Sequence, residues 1–159
     1  MIFKSIKLAW WYVSHALFLG AGSHKADLMH LDIIEAVLSD LPVNISETVR
    51  AQLDRRYFFS WMTNGRINVF FFYDLSELPL IQDPAFDDSM FKVELFVEGR
   101  KHVAHVGFYK KRIHCVELKK PRAFFAGKRY LVGAVKEGKP KESFTNVIDR
   151  AEHGKETGL

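Results

Sequence analysis

The sequence predicts an α+β fold in which N-terminal helices pack on a curved, mainly antiparallel sheet of five to seven strands and a short C-terminal helix follows. Three observations lead there. Helix-period apolar stripes lie before residue 57, an aromatic and β-branched run is split by Asn64-Gly65, and a second alternating run turns near Gly99. With 159 residues, 48% apolar and 14% aromatic, the chain can bury a core without disulfides or a structural metal. One domain is expected over residues 1–142, with a C-terminal helix and flexible tail over 143–159.

The first helix is expected over residues 2–19. Ile2, Ile6, Trp10, Val13 and Leu17 recur at steps of four and three residues and would pack on the sheet. Lys4 and Lys7 before this apolar run mimic the start of a signal peptide, but Ser14 and His15 interrupt it. The stretch from Leu8 to Gly22 is also too short to cross about 30 Å of hydrocarbon at about 1.5 Å per residue. Gly20 to Lys25 reads as a glycine turn with Ser23 as helix cap; it lacks the spacing of a phosphate-binding loop.

A second helix is expected over 24–41, with Leu28, Leu31, Ile34, Leu38 and Leu41 inward and Pro42 as its stop. A third is expected over 45–56, where Asn44 and Glu47 have the form of a capping box. Strands begin at Tyr57. Asn64-Gly65 read as a two-residue turn sets Thr63 opposite Arg66. Tyr57, Phe59, Trp61, Asn68, Phe70 and Phe72 then share one face, and Phe58, Ser60, Met62, Ile67, Val69, Phe71 and Tyr73 the other. Both faces are apolar away from the turn, so each must be covered, by helices on one side and by a second sheet layer, the C-terminal segment or a second copy on the other.

Residues 74–89 form a Pro-containing loop whose Asp83, Asp87 and Asp88 lack calcium-loop spacing. Gly99-Arg100 as the next turn pairs Leu95 with Ala104 and Phe91 with Phe108, and puts His105 opposite Glu94. Further strands are expected at 112–118, in either of two registers, and at 123–125 and 129–135. A last helix is expected over 143–152.

Chemistry is sparse. Cys115 is the sole cysteine, which excludes an intrachain disulfide and points to a reducing, cytoplasmic setting. His102 and His105 are three apart on a strand and face opposite ways, so they do not share a metal without a bulge. His114 and Cys115 face apart for the same reason, and a Cys–His pair would have to form between strands, as His105 with Cys115. No metal, cofactor or catalytic residue set is expected.

Charge is uneven. Residues 1–98 carry 8 Lys/Arg against 13 Asp/Glu, and residues 99–159 carry 15 against 6. Lys110, Lys111, Arg112, Lys119, Lys120, Arg122, Lys128 and Arg129 form a candidate basic patch, with Phe124, Phe125 or Tyr130 available to stack on bases. The structural alternative is a solvated rim of lysines that keeps sheet edges from pairing. The leading expectation is a non-enzymatic, homodimeric interaction module that binds an acidic protein or nucleic acid through its basic half. A rival is a small-ligand binder or enzyme with an aromatic pocket from Phe59, Trp61, Phe70, Phe72, Glu94 and His105. A third is a peripheral membrane protein held by the Trp-rich first helix.

Overall fold

A computed structural model describes residues 2–19, 26–54, 58–63, 65–73 and 75–138. The expectations for the glycine turn at 20–25 and for the helix and tail at 143–159 lie outside these residues. Three helices come first: α1 (Ile2–Leu19), α2 (Leu28–Ser39) and α3 (Val43–Gln52). Six strands follow, β1 (Phe58–Thr63), β2 (Ile67–Phe72), β3 (Asp88–Val97), β4 (Arg100–Tyr109), β5 (Arg112–Leu118) and β6 (Tyr130–Gly138). The one-turn helix α4 (Arg122–Phe125) sits between β5 and β6. The α+β class holds, and all the pairings in the sheet are antiparallel, in the order β1-β2-β5-β4-β3-β6.

Helices α2 and α3 lie on one face of the sheet. Ile33, Ile34, Val37 and Leu38 of α2 and Ile45 and Val49 of α3 pack with Phe70, Phe72, Phe91, Val93, Leu95, Val106, Phe108, Ile113, Val116 and Leu118. The expected α2 stripe is rotated: Leu28 is 76% exposed, and Met29 and His30 are buried in its place. Leu28 lies about 120° from Ile34, off the side that Ile33, Ile34, Val37 and Leu38 bury. Asp27 caps α2 by accepting the Met29 N–H. The capping box at Asn44 is absent too. Pro42 opens α3 with no side-chain cap, and α3 ends at Gln52, short of the expected end at residue 56.

The loop before β3 is tied to this layer by Gln52. Its side-chain amide donates to the Pro79 carbonyl at 2.7 Å, and its Oε1 accepts the Ile113 N–H at 2.9 Å, so one buried residue joins α3, the loop and β5. A short 3-10 turn at Pro84–Phe86, capped by Asp83, then leads into β3.

Two turns and one segment differ from expectation. Thr63 pairs with Ile67, so the first hairpin loop has three residues, with Gly65 at φ +65°. Phe59 is therefore opposite Phe71 and Trp61 opposite Val69, a one-residue slip that removes them from the Phe70 and Phe72 ladder. In the second hairpin Val97 pairs with Arg100 around Glu98 and Gly99, both with positive φ. This shifts pairing by a whole step and preserves which residues face the helices. Leu95 meets His102, Phe91 meets Val106, and His105 lies opposite Lys92 rather than Glu94. Residues 123–125, expected as a strand, are helical in α4, which follows Pro121 at its N-terminus.

The opposite face of the hairpin has cover from within the chain. Val69 is buried there, and Trp11 of α1 meets Tyr73 edge-on, ring centroids 5.6 Å apart. Thus α1 packs through its Trp11 side, and the stripe expected to face the sheet points outward.

Candidate functional site: the basic end of the sheet

Antiparallel pairing gathers alternate turns at the same end of a sheet. Leu118 closes β5 by donating its N–H to the Arg66 carbonyl, Glu98 donates to the Arg129 carbonyl, and Arg122 donates to the Gly65 carbonyl at 2.6 Å. The loops carrying Arg66, Arg100 and Lys101, Lys119 to Arg122, and Lys128 and Arg129 therefore converge on one end. Lys110, Lys111 and Arg112 do not join them. They form the β4–β5 turn at the other end, where Lys110 donates its backbone N–H to the Asp87 carbonyl.

The expected patch is thus divided, and the end that holds most of it gains three cations. Arg66, Arg100 and Lys101 belong to the site although sequence proximity does not group them with it. Arg66 lay in the acidic half of the chain, and only the register reveals that its turn adjoins the end of β5. The detectable signal was turn position: every second connection of a meander falls at one end.

Three carboxylates organise this end. Asp27 caps α2 with Oδ1, while its Oδ2 takes Arg122 Nη2 at 2.5 Å. Asp32 accepts the Tyr130 hydroxyl at 2.6 Å. Burial first, and then that hydrogen bond, push the Tyr130 phenol up to about 12. Lys101 is held by Glu94 at 2.5 Å, and this hydrogen bond lowers the Glu94 carboxyl. Lys128 sits over the Phe124 ring, 3.7 Å from its centroid.

By contrast Arg66, Arg100, Lys119, Lys120 and Arg129 are exposed and make no side-chain ion pair among the described residues. Of the three aromatics proposed for stacking, Phe125 is buried, Tyr130 is engaged with Asp32, and Phe124 is 37% exposed. Phe124 and Phe125 both pack on His102, ring centroids 5.3 and 5.6 Å away, which fixes α4 against β4.

Beneath the basic end lies a buried polar pair. His30 of α2 and Asn68 of β2 meet through Nδ1 and Nδ2 at 3.3 Å, while His30 Nε2 and Asn68 Oδ1 have no hydrogen-bond partner. Burial pushes the imidazole down to about 4, outweighing the attraction of Asp27, and Arg122 lowers it further.

The aromatic-pocket residues are not brought together. Phe70 and Phe72 are buried under the helices, whereas Glu94 and His105 lie on the other sheet face. Phe59 and Trp61 pair with Phe71 and Val69, and three strands separate β1 from β3, roughly 19 Å at about 4.8 Å per step. His105 finds its carboxylate on β5 instead, with Nδ1 3.8 Å from Glu117 Oε2. Cys115 is buried and its thiol is pushed up by burial first and Glu117 second, the opposite of an activated nucleophile. No group of three or more His, Cys, Asp or Glu side chains among the described residues could hold a metal ion. No helix among them is long and apolar enough to cross a membrane. Compared with protein-family models, curated proteins and solved structures, the chain matches none.

Proposed function

We propose that this protein is a non-enzymatic binding module that docks an acidic partner on the basic end of its sheet. One observation carries the reading: five exposed cations from four separate loops stand at one end without ion pairs among the described residues. Fixed carboxylates hold Arg122 and Lys101, so the loops bearing the other cations are held in place before a partner arrives. A surface of this kind releases counterions from a polyanion, and Phe124 offers a ring beside the phosphates. The single, buried Cys115 fits a reducing compartment, and we place the protein in the cytoplasm on that ground.

Fluorescence anisotropy with a labelled single-stranded oligonucleotide, and with a poly-glutamate peptide, tests this across a salt series. Affinity for at least one of them should fall steeply with salt. Lys119→Glu with Lys120→Glu should weaken it at least tenfold, and Lys110→Glu with Lys111→Glu, at the far end, should change it less than twofold. Absence of salt-dependent binding to either probe, or equal loss from both ends, would refute the assignment.

A further inference from the structure

On α1 the side chains of Ile6, Trp10, Val13 and Leu17 are 60%, 71%, 49% and 77% exposed. At about 100° per residue these four fall on one narrow line along the helix. The opposite side is apolar as well: Leu8 and Trp11 are partly buried, with Trp11 against Tyr73. A helix that is apolar on two opposite sides needs cover on both, and the sheet covers only one.

Charge selects the occupant. Lys4 and Lys7 lie on α1, and no Asp or Glu occurs before Asp27. Lys7 is exposed and stands about a quarter turn from Ile6, at the flank of the line rather than within it. A second copy would bring the same positive helix. Four side chains, only one of them an aromatic worth roughly 150–250 Å², also fall short of the roughly 800 Å² that each partner gives to a standard interface. A lipid surface needs no matching shape. Tryptophan and aliphatic residues in a line with Lys7 at the flank, and no acid, suit a helix lying in the plane of an anionic bilayer interface.

We propose that α1 anchors the protein to anionic lipid by inserting Ile6, Trp10, Val13 and Leu17 among the acyl chains while Lys7 meets the headgroups. This is a surface separate from the basic end, and it does not depend on that reading.

Co-sedimentation of the full chain with phosphatidylcholine vesicles, with and without about 30% phosphatidylserine, tests it. Binding should require the anionic lipid. Trp10→Ser with Leu17→Ser should reduce it at least tenfold while thermal unfolding and circular dichroism stay unchanged, since both side chains are largely exposed. A third variant, Lys119→Glu with Lys120→Glu, disables the basic end alone. Vesicle binding retained by the α1 variant overturns the inference, and if that binding is lost with the third variant the basic end is the lipid contact. Absence of vesicle binding also overturns it. In that case a concentration-dependent dimer seen by sedimentation, and dissolved by the α1 substitutions, would identify a second copy as the occupant.

Discussion

At the scale of single residues, His30 is the group whose burial has a measurable consequence. An imidazole held near 4 in the folded chain and near 6.5 when unfolded makes the unfolded state bind more protons between those values. Its contribution is therefore present above pH 6.5 and is lost as pH falls toward 4, with a total of about 3 kcal/mol at about 1.4 kcal/mol per pKa unit. His30→Leu should flatten the pH dependence of urea unfolding in that window. At pH 7 it should cost about 1–3 kcal/mol, because Asn68 loses its partner in the core. Replacing both, as His30→Leu with Asn68→Leu, removes two unpartnered atoms along with the bond, and should recover most of that loss. A double variant as unstable as the single one would show that the pair contributes more than mutual satisfaction. None of this is legible in the sequence, because a histidine beside Met29 counts as polar in any apolar periodicity, which runs through Leu28 and Leu31 instead.

At the scale of elements, what could be read depended on how strongly the turn residues fix their own conformation. The hairpin at Asn64-Gly65 was visible because alternating β-branched and aromatic residues flank a residue suited to positive φ. Its register was missed because the same dipeptide serves a two-residue and a three-residue loop. Glu98-Gly99 was placed one residue late, yet the helix-facing set survived, since pairing moved by a full pleat. The β4–β5 turn carries no conventional signal at all: Lys110 and Lys111 have φ of 48° and 61°. With a register shift near Gly107 and Phe108 added, the third strand fitted two pairings. That turn is where local preference and fold disagree, and the disagreement has a sign. A side chain in the left-handed region costs roughly 1–2 kcal/mol, and glycine returns roughly 0.5–1 kcal/mol of that as unfolded-state entropy. Lys111→Gly should accordingly stabilise by about 0.5 kcal/mol in equilibrium unfolding, whereas Lys111→Val should cost about 1–2 kcal/mol. The backbone bonds from Ile81 and to Phe86 are common to all three sequences. Equal stability of the glycine and valine variants would mean that the turn relaxes to another conformation.

At the scale of the whole molecule, the division of charge along the chain pointed to a basic surface but misplaced its boundary, because charge summed along sequence ignores the folding back of a meander. Arg66 belongs to the acidic half by number and to the basic end by register. Once assembled, that end is a liability for folding. Like charges at the ends of neighbouring strands repel, and Asp27 and Glu94 are already committed to Arg122 and Lys101. Removing such repulsion should therefore stabilise the protein when salt is low. Lys119→Glu with Arg129→Glu is expected to raise stability by about 0.5–1 kcal/mol at low ionic strength. The advantage should shrink as salt approaches about 0.1 M, where the screening length is about 10 Å. Thermal unfolding at a series of salt concentrations measures both quantities. If the reversed charges stabilise the fold and weaken binding to the acidic probes together, these cations are kept for what they contact rather than for what they hold. If the variant is less stable at every salt concentration, the cations are structural, and the basic end would need another explanation than recognition.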